Sequence, residues 1–377
     1  MSCRWSNNNG SDIILKNKAL IIGPVKQKEK IMKSLIRVTI FLFGLYFIGC
    51  ENIFNNDSDP LTEQNIFVLC EGNFGQSNAS LWMVNPENTE VAGPIYQNQT
   101  GLTLGDIGQS MTIADDRLFV VNNNSHTIEE FSLGGEQVTH VKRIDLSGAS
   151  PRYMAVFKDK GYITAWNVNG IIVIDLKSYT IEDTIAIDGL PEMILVHENF
   201  LYTSVTMKPD WTADNRVIKI YNDGTISKSF EVVKGPGQMV IQDNKLFVAS
   251  IYYGSDWSTN AGNSMIDLKT EKVESNDLGQ TNDLGSDLLS FNNTIYRSYK
   301  GGIAPLNPNL TIDGTQVIGE LGSTYSAAAF EEYIYLSETD YVAPDTVYVY
   351  DFSGSLIQNY IVGAIPGSFA LFHKEID

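Results

Sequence analysis

At 377 residues, 43% hydrophobic and 11% aromatic, the chain holds enough apolar material for a sizeable core, and its 31 Gly and 12 Pro suit a globular protein of many turns rather than a disordered one. The formal net charge is −19, and residues 51–377 carry 18 basic against 43 acidic side chains, a net −25. Such a body is repelled by nucleic acid and by anionic head groups, so no nucleic-acid partner is expected and the acidic surface reads as solvated.

Residues 1–31 show no strand pattern, and Met32 then opens MKSLIRVTIFLFGLYFIGC. Lys33 and Arg37 form a basic start, Val38 to Ile48 an apolar run, and Gly49 precedes Cys50, the order of a secretory leader. The run is shorter than the roughly 20 residues that span a bilayer. Phe47, Ile48, Gly49 and Cys50 resemble a bacterial lipobox, with Phe at a position where Leu is usual. Translation is therefore expected to start at Met32, with 1–31 a misassigned upstream extension and 32–49 a lipoprotein signal peptide. Cys50 is expected to be lipidated, because its sulfur takes a diacylglyceryl group and several acyl chains anchor where one does not. Residues 50–64, with the acidic and Asn-rich stretch Glu51 to Pro60, read as a tether. Of the three cysteines this leaves Cys70 alone on an apparent strand, a small buried apolar residue by expectation, with no intramolecular disulfide.

From Ile66 the pattern changes to short runs rich in Ile, Val, Tyr and Thr, separated by Asp, Asn, Gly and Lys as tight hairpins require. IFVLCEG (66–72) and ASLWMVNP (79–86) read as the second and third strands of a unit lacking its first. The clearest complete unit is 150–189, where YMAVF (153–157), GYITAW (161–166), GIIVIDL (170–176) and TIAI (184–187) are four short strands. Four antiparallel strands in about 40 residues make one blade of a β-propeller. Aligned on it, inner strands fall at Met111, Met154, Met193, Met239, Leu288, Ala328 and Phe369. Second strands recur as LFVVN, LYTSV, LFVAS, IYRSY and IYLSE, and third strands as TIEEFSL, RVIKIYN, SMIDL, GIAPLNP and TVYVYDF. The chain closes on IPGSFALFH (365–373), an inner strand without companions. Joining the two ends predicts an all-β, seven-bladed β-propeller over 65–377, four antiparallel strands per blade, with the open edges removed. The blade within 278–321 is the most degenerate.

No catalytic motif is visible. His126, His140, His197 and His373 fall in different blades without metal-ligand spacing, and no nucleophile elbow or phosphate-binding loop occurs. Neither a catalytic set nor a bound metal or cofactor is expected. Large aromatics instead gather in the loops between second and third strands: Phe74, Trp166, Trp211, Tyr252, Tyr253, Trp257, Tyr299 and Tyr341. Two of these loops, 206–215 and 251–262, are long and set a Trp among Asp, Ser, Thr and Asn. The segments leading into the inner strands share that face and add Gln109, Arg152, Tyr153, Glu192, Gln238, Asp287 and Tyr325. Flat aromatic surfaces with amides and hydroxyls around them have the composition of a ligand site.

The repeated LFVVN and xVIDL strands resemble the YVTN/YncE-type seven-bladed propellers. The opening, carried by Glu71, Gly72, Asn73, Phe74, Gly75, Asn78, Ala79 and Ser80, is similar to that of Bacteroidetes surface propeller lipoproteins, a group that includes the cobalamin-capturing BtuG proteins. Cys70 departs from that opening, where Asn or Ser is more usual. The resemblance implies an outer-membrane, lipid-anchored capture module, on the cell surface or the periplasmic side. It implies a corrinoid as bound ligand and a TonB-dependent transporter as partner, with the propeller itself monomeric. Two other classes stay open: a propeller enzyme of lactonase, lyase or quinone-dependent type, and a protein-binding scaffold.

Overall fold

A computed structural model describes residues 64–86, 89–342 and 344–374. The leader, Cys50 and nearly all of the tether lie outside the described residues. Seven antiparallel sheets follow one another along the chain, six of four strands and one of three. The first blade combines β1 (Gln64–Cys70), β2 (Ser80–Val84) and β3 (Val91–Ala92) with an inner strand from the other end of the chain, β27 (Pro366–His373). A six-residue helix, α1 (Ile95–Thr100), leads into the second blade, an element the strand pattern does not announce. That blade holds β4 (Gly108–Ala114), β5 (Arg117–Asn122), β6 (Thr127–Ser132) and β7 (Thr139–Asp145). The third holds β8 (Pro151–Phe157), β9 (Lys160–Ala165), β10 (Gly170–Asp175) and β11 (Thr180–Ala186). The fourth holds β12 (Leu190–His197), β13 (Phe200–Met207), β14 (Ala213–Tyr221) and β15 (Ile226–Glu231). The fifth holds β16 (Pro236–Gln242), β17 (Lys245–Tyr253), β18 (Thr259–Asp267) and β19 (Val273–Gln280). The sixth holds β20 (Leu284–Phe291), β21 (Thr294–Tyr299) and β22 (Gly302–Pro305), and the seventh β23 (Ala327–Phe330), β24 (Tyr333–Glu338), β25 (Asp345–Asp351) and β26 (Leu356–Val362).

The seven-bladed ring and its closure are as the spacing predicts. β27 pairs with β1 through Ile66 with Leu371, Phe67 with Ala370 and Val68 with Phe369, so the blade is completed across more than 300 residues of chain. The sixth blade departs from the four-strand pattern: its outer position is reduced to an isolated bridge between Ile303 and Ile318. Between them lies NPNLTIDGTQV (307–317), whose Pro, Asn, Asp and Gly favour turns over a continuous strand. In the third blade the fourth strand begins at Thr180, four residues before the TIAI run, because its early residues face solvent and their one apolar side chain, Ile181, is half exposed.

Packing between blades follows the two-residue period of a strand. On β1, Phe67 and Leu69 pack toward the second blade with Leu118, Val120 and Phe131, while Ile66, Val68 and Cys70 pack toward the seventh with Tyr335, Val347 and Tyr360. On β10, Ile172 and Ile174 face one neighbour and Ile171 and Val173 the other. Cys70 is fully buried, and burial pushes its thiol far above the usual range, as a packing residue requires. The weak sixth blade is held differently. Arg297 on β21 is fully buried and donates to the carbonyls of Gly285 (2.9 Å), Gly262 (2.6 Å) and Ser250 (3.0 Å) and to Asn263 Oδ1 (2.6 Å), the last three on the fifth blade.

Candidate functional site

Because each blade is an antiparallel meander, the loops joining second to third strands and the segments leading into the inner strands lie at one end of the ring, here the upper face. The starts of β4, β8 and β12 bring the first cluster together. Arg152 holds Glu192 with two bonds, Nη2 to Oε1 at 2.7 Å and Nε to Oε2 at 2.9 Å, and donates through Nη1 to Gln109 Oε1. Its guanidinium lies 4.2 Å from the Trp166 ring centre, and Trp166 meets Trp211 edge-on at 5.9 Å. Burial alone would lower Arg152, yet the Glu192 carboxylate raises it above its usual value, so the guanidinium stays charged.

A second cluster bridges the ring closure. Tyr325 donates to Glu71 Oε2 at 2.9 Å and meets Tyr341 edge-on at 6.2 Å, while Asn73 Nδ2 donates to the Tyr341 carbonyl at 2.8 Å. Burial pushes Glu71 up, with the Tyr325 hydroxyl and the Arg152 charge pulling it back. Gly367 makes room for that carboxylate: a Cβ there would lie 2.2 Å from Glu71 Oε1. Between the clusters, Gln238 Nε2 donates to the Tyr153 hydroxyl at 2.6 Å.

The long loops carry the most informative geometry. One five-residue turn, in which the first N–H bonds to the fifth carbonyl and the fourth N–H to the first carbonyl, recurs in five hairpins among the described residues. Its fourth residue always has positive φ. On the lower face that place is held by Gly224, Gly354 and Leu310, the last only 4% exposed. On the upper face it is held by Trp211 (φ 66°) and Trp257 (φ 65°), which are 64% and 82% exposed. Both upper turns are braced alike: Asp210 Oδ1 accepts from the Thr212 N–H and hydroxyl, and Asp256 Oδ1 from those of Ser258. A non-glycine residue in this conformation costs roughly 1–2 kcal/mol. Here nothing like the burial of Leu310 offsets it.

Not every aromatic read as part of this face points into it. Tyr252 donates to Asp277 Oδ2 on the outer strand β19 at 2.8 Å, and Tyr299 packs its hydroxyl beside Gly314 in the outer part of its blade. Tyr253 and Phe74 stand exposed at the upper rim. Glu71, which ties the second cluster, was legible only as part of the opening motif, since nothing local marks a carboxylate at a strand end as a bridge across the ring. Three histidines serve structural bonds: His126 Nδ1 accepts from the Ser150 N–H, His140 pairs with buried Glu129 at 2.9 Å, and His373 pairs with Glu331 at 2.8 Å. Among the described residues, no three His, Cys, Asp or Glu side chains converge as a metal site would need.

No family model matches the chain, and no curated protein does. Solved structures match throughout the ring. A protein of unknown function from Desulfotomaculum acetoxidans aligns with a TM-score of 0.60 at 15% identity, covering 83% of this chain and 100% of that one. A candidate 6-phosphogluconolactonase from Bacteroides uniformis aligns with a TM-score of 0.60 at 12% identity, over 82% and 100%. Apo AztD from Citrobacter koseri aligns with a TM-score of 0.56 at 8% identity, over 83% and 98%. The likeness is one of fold alone. It places the chain among seven-bladed β-propellers whose members differ in function, so the reading of the site rests on the site itself.

Proposed function

We propose that the protein is a non-enzymatic ligand-capture module that holds a medium-sized ligand over its upper face. The observation that carries this is the pair of exposed tryptophans at Trp211 and Trp257, kept at positive φ where the same turn elsewhere uses glycine or a buried leucine. A strained and exposed aromatic at matching places in neighbouring blades is favoured by contact with something outside the chain. Trp166, Arg152 and Gln109 extend the Trp211 surface toward the ring axis, and Tyr325 and Tyr341 border it on the far side.

By its resemblance to the surface propeller lipoproteins, the ligand is a corrinoid, whose amide-fringed macrocycle suits a floor of Trp, Tyr and Gln. The protein would be anchored in the outer membrane through Cys50 and pass the ligand to a TonB-dependent transporter. Isothermal titration with cyanocobalamin and cobinamide tests this, with binding expected for both because they share the ring. Absence of heat with either removes the corrinoid, and turnover of 6-phosphogluconolactone above the uncatalysed rate overturns the non-enzymatic reading.

A further inference from the structure

The ring axis holds a cavity that shares only Gln109 with the capture surface described above. The channel has a volume of about 420 Å³. Its wall includes Met111, Met193, Leu195, Leu288 and Phe369, and Tyr153, Gln238 and Asp287 stand at its upper mouth. Most polar groups at this mouth satisfy one another. Glu192 and Gln109 receive Arg152, Glu71 receives Tyr325, and Tyr153 receives Gln238.

Asp287 is the exception. Its Oδ2 is shut off from solvent without a hydrogen-bond partner among the described residues. Arg297, a positive charge that acts on it, gives its N–H groups to Gly285, Gly262, Asn263 and Ser250 instead. Burial pushes Asp287 up to about 7, against the pull of the Ala327 N–H and of Arg297, and the Glu71 charge adds to the rise. A positive charge placed in the channel beside it would stabilise the ionised carboxylate through space, without a direct bond to the enclosed Oδ2.

We infer that the channel mouth is a binding site for a compact organic cation, an ammonium group on a small apolar body, with Asp287 as its counter-ion. Three features select that class. Asp287 is the carboxylate that lines the channel, while Glu192 is taken up by Arg152 and Glu71 accepts from Tyr325. Gln238 uses its amide N–H on Tyr153, which leaves its carbonyl oxygen as a second acceptor beside Asp287. One carboxylate with neutral acceptors suits a single charge, whereas a divalent ion calls for several carboxylates, and the methionine and leucine wall suits an apolar body.

The test uses the full chain and benzylamine as probe, with benzyl alcohol and benzoate as neutral and anionic counterparts, followed by saturation-transfer NMR and titration. Benzylammonium is expected to bind at least about tenfold more tightly than benzyl alcohol near pH 8, and benzoate not at all. Its affinity is expected to fall about tenfold on going to near pH 6, as Asp287 takes up a proton. Asp287→Asn is expected to lose about tenfold and the pH dependence with it, and Gln238→Met, which keeps the carboxylate, about threefold. Equal binding of the alcohol, or an Asn variant that retains affinity and pH dependence while folded by circular dichroism, overturns the assignment. Trp257→Gly is expected to leave benzylammonium binding unchanged, so this site and the capture face stand or fall separately.

Discussion

The two ends of the ring share one five-residue turn in some of their hairpins and fill it differently. At the lower end the strained position is relieved, by Gly224 and Gly354 or by packing Leu310 into the interior. At the upper end it is occupied by exposed tryptophans, and Asp287 sits a short way down the axis with an oxygen that meets no donor. In this turn the lower end avoids the cost and the upper end keeps it, although two-residue hairpins of the lower end also carry exposed non-glycine residues at positive φ, Lys158, Glu198 and Glu331 among them. A fold that relieves a strain in one place and keeps it in another is reporting where something other than folding decides the residue.

The tryptophans are where the two ends differ most. Replacing both, Trp211→Gly with Trp257→Gly, is expected to weaken cyanocobalamin binding about a hundredfold, the loss of two aromatic anchors. The melting temperature is expected to hold or rise, since glycine accepts the positive φ without strain. Calorimetric titration beside a thermal melt separates the two effects. Unchanged affinity puts the ligand elsewhere, and a marked drop in melting temperature makes the tryptophans structural.

Asp287 sharpens the same contrast through pH. Its carboxyl in the folded protein lies near 7, above the roughly 3.9 of an unfolded chain, so it binds protons more tightly when folded. Its contribution to stability is therefore full below about pH 4 and is lost as the pH rises through about 7. Asp287→Asn stays neutral throughout. Relative to that variant, the wild type is expected to lose about 1–3 kcal/mol between acid and mildly alkaline conditions, measured by urea unfolding. A difference that does not change with pH would mean that the carboxyl is solvated, and the axis would no longer count as a strained region.

How much of this was legible depended on periodicity. The inner strands around Met111, Met154, Met193 and Met239 repeat with their partners, and the unpaired IPGSFALFH and IFVLCEG runs required each other, so the ring could be read from the chain. Alternation also located the upper face, which gathers Gln109, Arg152, Trp166 and Trp211. Side-chain direction at strand ends was not legible. Tyr252 and Tyr253 are adjacent, and only the pairing register decides which one turns outward to Asp277. The helix at Ile95–Thr100 and the reduced sixth blade lie where the repeat is interrupted, and there the pattern has nothing to align.

The smallest effect tests the premise beneath the others, that a tryptophan at this turn position is costly. Gly354 is the place to measure it, because its φ of 85° matches the upper turns in sign and a Cβ built there meets nothing within 4 Å. Gly354→Trp therefore adds backbone strain with no clash at its Cβ, and it should lower stability by about 1 kcal/mol in urea unfolding with ligand binding untouched. Gly354→Asn serves as the control, since asparagine tolerates the left-handed region and should cost less. If the tryptophan variant is as stable as the glycine parent, exposed tryptophan is at ease in this turn. Trp211 and Trp257 would then mark the upper face by their exposure alone, an aromatic surface held without backbone strain.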